Sequence, residues 1–548
     1  MWLGVASSIA TTGLSHRDNG ICVIDDRAMR FAISEERVSR KKHDCNADLS
    51  LASWIKEASR DPKTLASYGV SSCSDEPWSE KRVPANLAGV PVHFAPSHHY
   101  SHALSAFHFS PFESALVLVM DAGGNTIADH TRMDWWTSHR EQTSLWLARA
   151  GNLALLERLH FQPLAIGFGE WYRAITYFLG WQSHTLSGNT MALSAFGDPS
   201  RIYSESLFDV CAASPKQFPN DPRNPCGLVD NLLMAVGRKD ISRRLPGAEI
   251  ESQHEDLAAY CQWSLEETVL RYVGDATRRY TVDRLCLSGG VAQNCVLNAK
   301  VATALGPQNV YISPIAGDVG QCVGNALHAR ACDDPGGMER IQDIMPFWGI
   351  TYSGNDIREA IRVSEVNARL FDLADLARKA ATNLADGRII ALFEGRSEFG
   401  PRALGHRSVL CDPHNVDTVS RVKRKVKCRD DFMPLAPAIS MGLADELRMS
   451  VPVSETMVYA PRLPDAIIGE FGVTAHIDRT ARLQAVGPHS QLGAILAAFE
   501  TLTGRRVLVN TSFNPRGAPI VESPADAIQT FRNLDIDALI MDAYWITR

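Results

Sequence analysis

A two-part α/β architecture is predicted by three features of the 548-residue sequence. Short β-rich runs end repeatedly on Gly, Asp or a small polar residue, helical stretches alternate with them, and one aperiodic segment rich in Pro, Gly and charge divides the chain. The runs are ALVLVMDAGGN (115–125), RLCLSGGVAQN (284–294), VYISPIAGD (310–318), IIALFEGR (389–396) and RVLVNTSFN (506–514). Each reads as a buried strand feeding a loop, which is where α/β proteins carry their chemistry. Between them SHALSAFHF, DLAAYCQWSLEETVLRYV and GQCVGNALHARA read as helices. The divider, 331–357, puts a domain boundary near residue 345, giving parts of 1–345 and 346–548. Stretches 75–92 and 212–227 read as loops or lids within the first part.

Composition narrows the function. The chain is 45% hydrophobic, enough for a core in each part, and its net charge of -7 is made of scattered rather than pooled Lys and Arg. That pattern predicts neither nucleic acid nor a membrane surface as partner, so any bound anion has to meet a local pocket. Twelve cysteines without a CxxC pair point to a reducing compartment. The opening MWLGVASSIATTGLSH lacks the pattern of a secretion signal, and no run approaches about 18 apolar residues. A soluble cytoplasmic enzyme is expected.

In SHHYSHALSAF, His98 and His102 stand four residues apart, which puts both imidazoles on one face of a helix. The next strand delivers Asp121 at its carboxyl end with glycines behind it, and SPIAGDVGQ offers Asp318 in the same style. Two imidazoles and two carboxylates form a mixed N/O set suited to Fe(II), Mn or Zn. His99 points about 100° away on the same helix, and His108 stands too far along, so neither joins the set. The loop SGGVAQN after the strand RLCL looks like a phosphate-facing turn, with Gly289, Gly290 and Asn294, joined by Gly123, as the nucleotide loop.

Further along, GRSEFGPRALGHRSVLCDP (395–413), KCRDDFMPLAPAI (427–439), HIDRTARLQAV (476–486) and VLVNTSFNPRGAPIVESPADAI (507–528) stand in fixed order behind the opening blocks HRDNGICVIDD and EERVSRKKH. Together with the His–Asp set these blocks resemble, over nearly the whole chain, the O-carbamoyltransferases of the nodulation-protein-U and cephem-carbamoyltransferase type, a family that includes tobramycin carbamoyltransferase. The resemblance implies an actin-like amino-terminal domain, similar to the threonylcarbamoyl-transferring domain of tRNA modification, and a YrdC-like carboxyl-terminal domain. It implies that the second domain turns carbamoyl phosphate and ATP, with Mg accompanying the ATP, into carbamoyl adenylate. The first domain then passes the carbamoyl group to a hydroxyl of a small-molecule acceptor. By the same resemblance His98, His102, Asp121 and Asp318 hold iron, and Arg402, Lys427, Arg482, Ser512 and Asn514 bind carbamoyl phosphate and ATP. Arg407 and Arg429 add fixed positive charge to that pocket, and Ser512 and Asn514 offer neutral hydrogen bonds. His16 aligns with an early family histidine and is assigned as general base on the acceptor hydroxyl.

Three departures from the family pattern stand out. Met433 occupies a position where an arginine is usual, with Arg429 at hand to replace that contact; Asn189 stands in place of a frequent lysine; and Arg17 separates His16 from Asp18. The aromatic stretch holding Trp171, Tyr172, Tyr177, Trp181 and His184, and the pair Trp135 and Trp136, offer either core packing or a platform for the acceptor. A homodimer is expected from the resemblance. Two rival readings remain: a tRNA-modifying threonylcarbamoyl transferase, and an actin-like ATPase that hydrolyses nucleotide without carbamoyl transfer.

Overall fold

The computed structural model describes residues 1–548 apart from 7–18, 27, 45–47, 59–64, 72–86, 125, 128–138, 150–151, 159–166, 214–223, 336–339, 342–344 and 448. His16, Trp135, Trp136 and most of the stretches read as lids therefore lie outside the described residues.

The first part is built from one sheet plan used twice. Strands β1 (Trp2–Ala6), β2 (Gly20–Ile24) and β3 (Met29–Ser34) form an antiparallel meander, while β4 (Ser67–Ser71) and β5 (Val92–Phe94) join the other side of β1 in parallel. The resulting order is β3-β2-β1-β4-β5. After β6 (Ser114–Met120) comes a small hairpin of β7 (Thr126–Ile127) and β8 (His139–Arg140), then β9 (Thr143–Arg149), β10 (Asn152–Arg158), β11 (Leu285–Ser288) and β12 (Val310–Ile312). Their sheet runs β10-β9-β6-β11-β12, with the first three antiparallel and β6, β11 and β12 parallel. This duplicated plan meets the expectation of an actin-like first domain, although no repeat is visible in the sequence.

The third sheet takes its strands from the second part: β13 (Asn367–Leu370), β14 (Ile390–Phe393), β15 (Arg407–Cys411), β16 (Ala436–Ser440), β17 (Gln484–Val486), β18 (Val507–Ser512), β19 (Ala538–Met541) and β20 (Tyr544–Thr547). They order as β13-β20-β19-β14-β15-β18-β16-β17, antiparallel except for β14/β19 and β16/β17. Strand β14 explains why its sequence is uninterrupted in apolar residues. Ala391 and Phe393 enter a core with Ile357 and Ile528 on one face, and Ile390 and Leu392 enter another with Leu376 and Ile495 on the other. Helices cover both faces, so the strand has no polar side.

The helices fall where the sequence places them. His98–Phe109 is capped by Ser97, whose side chain accepts from Tyr100 N, and it lays Ala103, Ala106 and Phe107 against Val117 and Val119 of β6. Gln321–Asp333 packs so closely on it that a Cβ at Gly324 would overlap the Ser101 carbonyl, and Asn325 links both to β1 through Val5 O at 2.8 Å. The loop expected at 212–227 closes early, because Asn224 caps a helix over Pro225–Ala235. The aromatic stretch at 168–181 is core: Trp171, Tyr172 and Trp181 are buried in the cluster beneath β6.

Gly289 ends β11 with φ +88, where a Cβ would overlap the carbonyl of Met120. A Gly289→Ala protein is expected to lose about 2–4 kcal/mol of stability, because backbone strain and overpacking add at one point. Chemical denaturation followed by fluorescence checks this, and a midpoint equal to that of the unaltered protein would contradict it.

Candidate metal centre and anion pocket

The helix His98–Phe109 holds His98 and His102 one turn apart with both rings buried, their centroids 4.8 Å from each other. Asp121 leaves the end of β6, its Oδ1 accepting from Ala122 N at 2.6 Å, and Asp318 opens the short turn that leads into Gln321–Asp333. One strand end, one helix and one turn, six residues beyond the end of β12, thus converge. His98 Nε2 lies 3.0 Å from Asp121 Oδ2 and 3.5 Å from Asp318 Oδ1, and His102 Nε2 lies 3.5 Å from each.

Ligands about 2.1 Å from a shared ion stand about 3.0–3.4 Å apart at tetrahedral or cis-octahedral angles, so these spacings fit one ion with small adjustment. The four ligand atoms all lie within 4.8 Å of one another. His102 Nε2 is buried without a hydrogen-bond partner and faces the two carboxylates, as an orphaned ligand atom would. Burial opposes charge on His102, but Asp121 and Asp318 close beside it outweigh burial and raise its pKa to about 9. Burial likewise opposes ionisation of Asp121, yet His102 and His98 hold it well below the usual carboxylate range.

Two supporting residues were not anticipated. Gln321 Nε2 stands 3.4 Å from Asp318 Oδ1 and 3.5 Å from His98 Nε2, while its Oε1 accepts from Ser71 Oγ of β4 at 3.0 Å. Ser288 Oγ sits 3.5 Å from His102 Nδ1, the ring atom turned away from the cluster. Only the place of Gln321 at the start of a helix, three residues after Asp318, hinted at this. His99 and His108 do stay out of the cluster. His99 Nδ1 bonds Ser144 Oγ at 2.7 Å, and His108 Nε2 accepts from Ile341 N at 3.0 Å, with burial, Arg330 and Arg340 pushing its pKa down to about 3.

Gly289 and Gly290 flank the cluster, a Cβ on Gly290 falling 3.2 Å from Asp121 Oδ1, and Gly123 is buried just behind Asp121. Asn294 differs from its expected role. Its Oδ1 caps the helix Cys295–Leu305 at Leu297 N and its Nδ2 donates to Gln262 Oε1 at 2.8 Å, so the side chain shapes the loop rather than facing a ligand.

Of the basic residues expected in one pocket, the structure brings together Arg402, Arg429 and Arg482. Burial, then Arg482 and Arg429, push the Arg402 pKa down to about 9; burial and Arg482 push Arg429 down to about 10. Among the described residues no carboxylate relieves either one, and Arg482 Nε is buried without a partner. Three buried guanidinium groups without a carboxylate among them favour a multiply charged anion as their counterpart. Arg402 Nη2 reaches Gln293 O at 3.4 Å, so the trio borders the glycine loop of the first part.

Lys427 stands beside the trio with all its donors engaged: Nζ meets Ser512 O, Ser512 Oγ, Asn514 O and Asn514 Oδ1 at 2.7–3.0 Å. Burial, then Arg429 and Lys42, hold its pKa well below the usual lysine value. Met433 and Asn189 are both half-buried, Met433 in the turn behind Phe432 and Asn189 in the helix Ser187–Leu193.

Arg407 has to be corrected. It is fully buried with its guanidinium 3.6 Å from the Phe393 ring centroid, and it donates to the carbonyls of Glu394, His406, Gly395 and Glu522. Its position at the start of a strand, not its charge, decides this role. An Arg407→Met protein is expected to be destabilised by about 3–5 kcal/mol, since four carbonyls and nearby Glu398 and Glu522 lose their cation. A thermal melt unchanged by that substitution would refute the assignment.

Comparison with known proteins identifies the family. Residues 85–327 match the model for the carbamoyltransferase N-terminus and residues 381–548 that for the carbamoyltransferase C-terminus. Nodulation protein NolO of Bradyrhizobium diazoefficiens is 30% identical over 465 residues, covering 82% of this chain and 79% of that protein. An uncharacterized protein of Synechocystis sp. is 29% identical over 606 residues, 97% of this chain and 95% of its own. The 3'-hydroxymethylcephem-O-carbamoyltransferase of Streptomyces clavuligerus is 28% identical over 370 residues, 66% of this chain and 65% of the enzyme. With a two-part α/β fold, a His–Asp cluster and matches that span both parts, the chain belongs to the carbamoyltransferase family and is a transferase enzyme.

Proposed function

We propose that this enzyme is an ATP-dependent O-carbamoyltransferase: water releases phosphate from carbamoyl phosphate, the resulting carbamate attacks the α-phosphate of ATP to give carbamoyl adenylate and pyrophosphate, and a small-molecule hydroxyl takes the carbamoyl group as AMP leaves. The observation that carries this reading is the uncompensated trio Arg402, Arg429 and Arg482 beside Gln293 of the glycine loop. An adenylate-forming step brings two phosphorylated substrates together, and three fixed cations offset their charge without moving. Ser512 and Asn514, held by Lys427, supply neutral hydrogen bonds at the pocket wall.

The His98, His102, Asp121 and Asp318 set suits a divalent ion, Fe(II) by family resemblance. Such an ion would supply positive charge against a leaving adenylate phosphate. The protein's own part there is to hold two neutral-capable imidazoles and two carboxylates at fixed distances, with Gln321 and Ser288 steadying them. His16 is the proposed base on the acceptor hydroxyl. The acceptor's class follows the relative named for a hydroxymethylcephem substrate, and the oligomer proposed is a homodimer.

Incubation with labelled carbamoyl phosphate and Mg-ATP tests the reading. Pyrophosphate release that depends on carbamoyl phosphate, and label transfer to small alcohols but not to tRNA, are the expected results. ATP turnover indifferent to carbamoyl phosphate would overturn it in favour of a simple ATPase. For His16, a His16→Asn protein should still release pyrophosphate while failing to carbamoylate an alcohol, and undiminished transfer would remove the role.

A further inference from the structure

We propose that Glu398 and Arg37, one from each part of the chain, are positioning residues that fix Arg402, so that anion binding in the second part depends on a residue of the first. The inference rests on reading Arg402 as an anion ligand. Arg402 lies midway along a loop from Glu398 to His406 that has no regular secondary structure. A loop of that kind ordinarily leaves a long cationic side chain many positions, which weakens any anion it binds.

This loop is fastened from within. The Glu398 carboxylate is buried, and its Oε1 accepts from three backbone N–H groups: Leu404 at 2.7 Å, His406 at 2.9 Å and Arg407 at 3.1 Å. One carboxylate oxygen therefore closes the loop on itself just past Arg402. The carbonyls in between are taken as well, Leu404 O by Gln484 Nε2 at 2.7 Å and Ala403 O by Asn510 Nδ2 at 3.3 Å.

It is also fastened from the other part. Arg37, in the short helix Glu35–Ser39 behind β3, is buried and turns Nη2 to Glu398 O at 3.2 Å and Gly400 O at 3.5 Å. Its neighbour Arg40 grips Ile520 O at 2.7 Å and Pro519 O at 3.1 Å, so the helix is anchored to the second part at two places. Neither Arg37 nor Glu398 has a hydrogen bond to the trio; both reach it only through the backbone on either side of Arg402. The contact of Arg402 with Gln293 O then sets the side chain's direction.

The test uses the full-length enzyme carrying Glu398→Gln, Arg37→Lys or Arg402→Gln, assayed by carbamoyl-phosphate-dependent pyrophosphate release. Glu398→Gln keeps the shape but weakens acceptance from three N–H groups, and Arg37→Lys keeps the charge but loses the two-carbonyl grip. For both, the KM for carbamoyl phosphate or for ATP is expected to rise at least about tenfold, with kcat within about threefold of the unaltered enzyme. A merely damaged fold would instead lower kcat through loss of active protein and leave KM in place. If Arg402→Gln raises KM while Arg37→Lys and Glu398→Gln both keep it within about twofold, the positioning role is overturned and the anion pocket stands. An unchanged KM in Arg402→Gln overturns both. Should Glu398→Gln fail to fold, the Arg37→Lys result decides alone.

Discussion

A His102→Ala protein is expected to purify with its metal affinity lowered by at least about a hundredfold, and to carbamoylate its acceptor about 10²–10³ times more slowly. The size of the effect follows from the site's economy of parts. His102 Nε2 faces both carboxylates at 3.5 Å and has no other partner, so its removal leaves Asp121 and Asp318 with His98 as the remaining imidazole. Elemental analysis of the purified protein, made before any activity assay, separates loss of metal from loss of chemistry. Asp318→Asn is the companion variant, and full occupancy in both would exclude the cluster as the metal's seat. Pyrophosphate release should survive in either protein, because the arginine trio is untouched.

The second large effect is expected at the opposite site. Arg402→Gln should weaken binding of carbamoyl phosphate or ATP by about 10- to 100-fold, the equivalent of one charge-assisted hydrogen bond at about 1.5–3 kcal/mol. The variant relieves repulsion among the three arginines, so it should melt no lower than the unaltered enzyme. Loss of binding without loss of stability is the signature of a residue held in place for a ligand. Calorimetric titration with each substrate measures it, and equal affinities in the two proteins would exclude Arg402 from the pocket.

Much of this was legible in the sequence, for identifiable reasons. Asp121 could be placed because an apolar run that stops on Asp and Gly marks a strand end, and His98 and His102 because a four-residue spacing has one meaning on a helix; Asp318 instead stands in a turn six residues past β12. The α/β class followed from the same punctuation. What escaped is whatever depends on contacts between distant segments. The two five-stranded sheets share a plan but no repeated residues, because strand order is set by which faces are buried and many apolar sequences bury equally well. Arg407 and Arg402 stand five residues apart in the same motif and look alike. One points into a ring of carbonyls and the other reaches Gln293 O with two further arginines nearby, and only the turn between them decides which. Asn294 was misread for a related reason: Asn after a glycine turn suits a phosphate loop and a helix cap equally. Glu398 was passed over because a single acid among several arginines reads as charge balance, not as the acceptor of three backbone N–H groups.

The bare backbone contact at Gly324 sets a dimension of the His–Asp cluster. His98 and His102 ride on one of the two helices that meet there, and Asp318 precedes the other by three residues. A side chain at 324 would act as a shim, widening the gap between imidazoles and carboxylate while leaving every ligand in the sequence. Divalent ions differ in their preferred bond lengths by only tenths of an ångström. The spacing of the four candidate ligand atoms is thus set partly by the thickness of a helix contact, at a residue that carries no ligand atom at all.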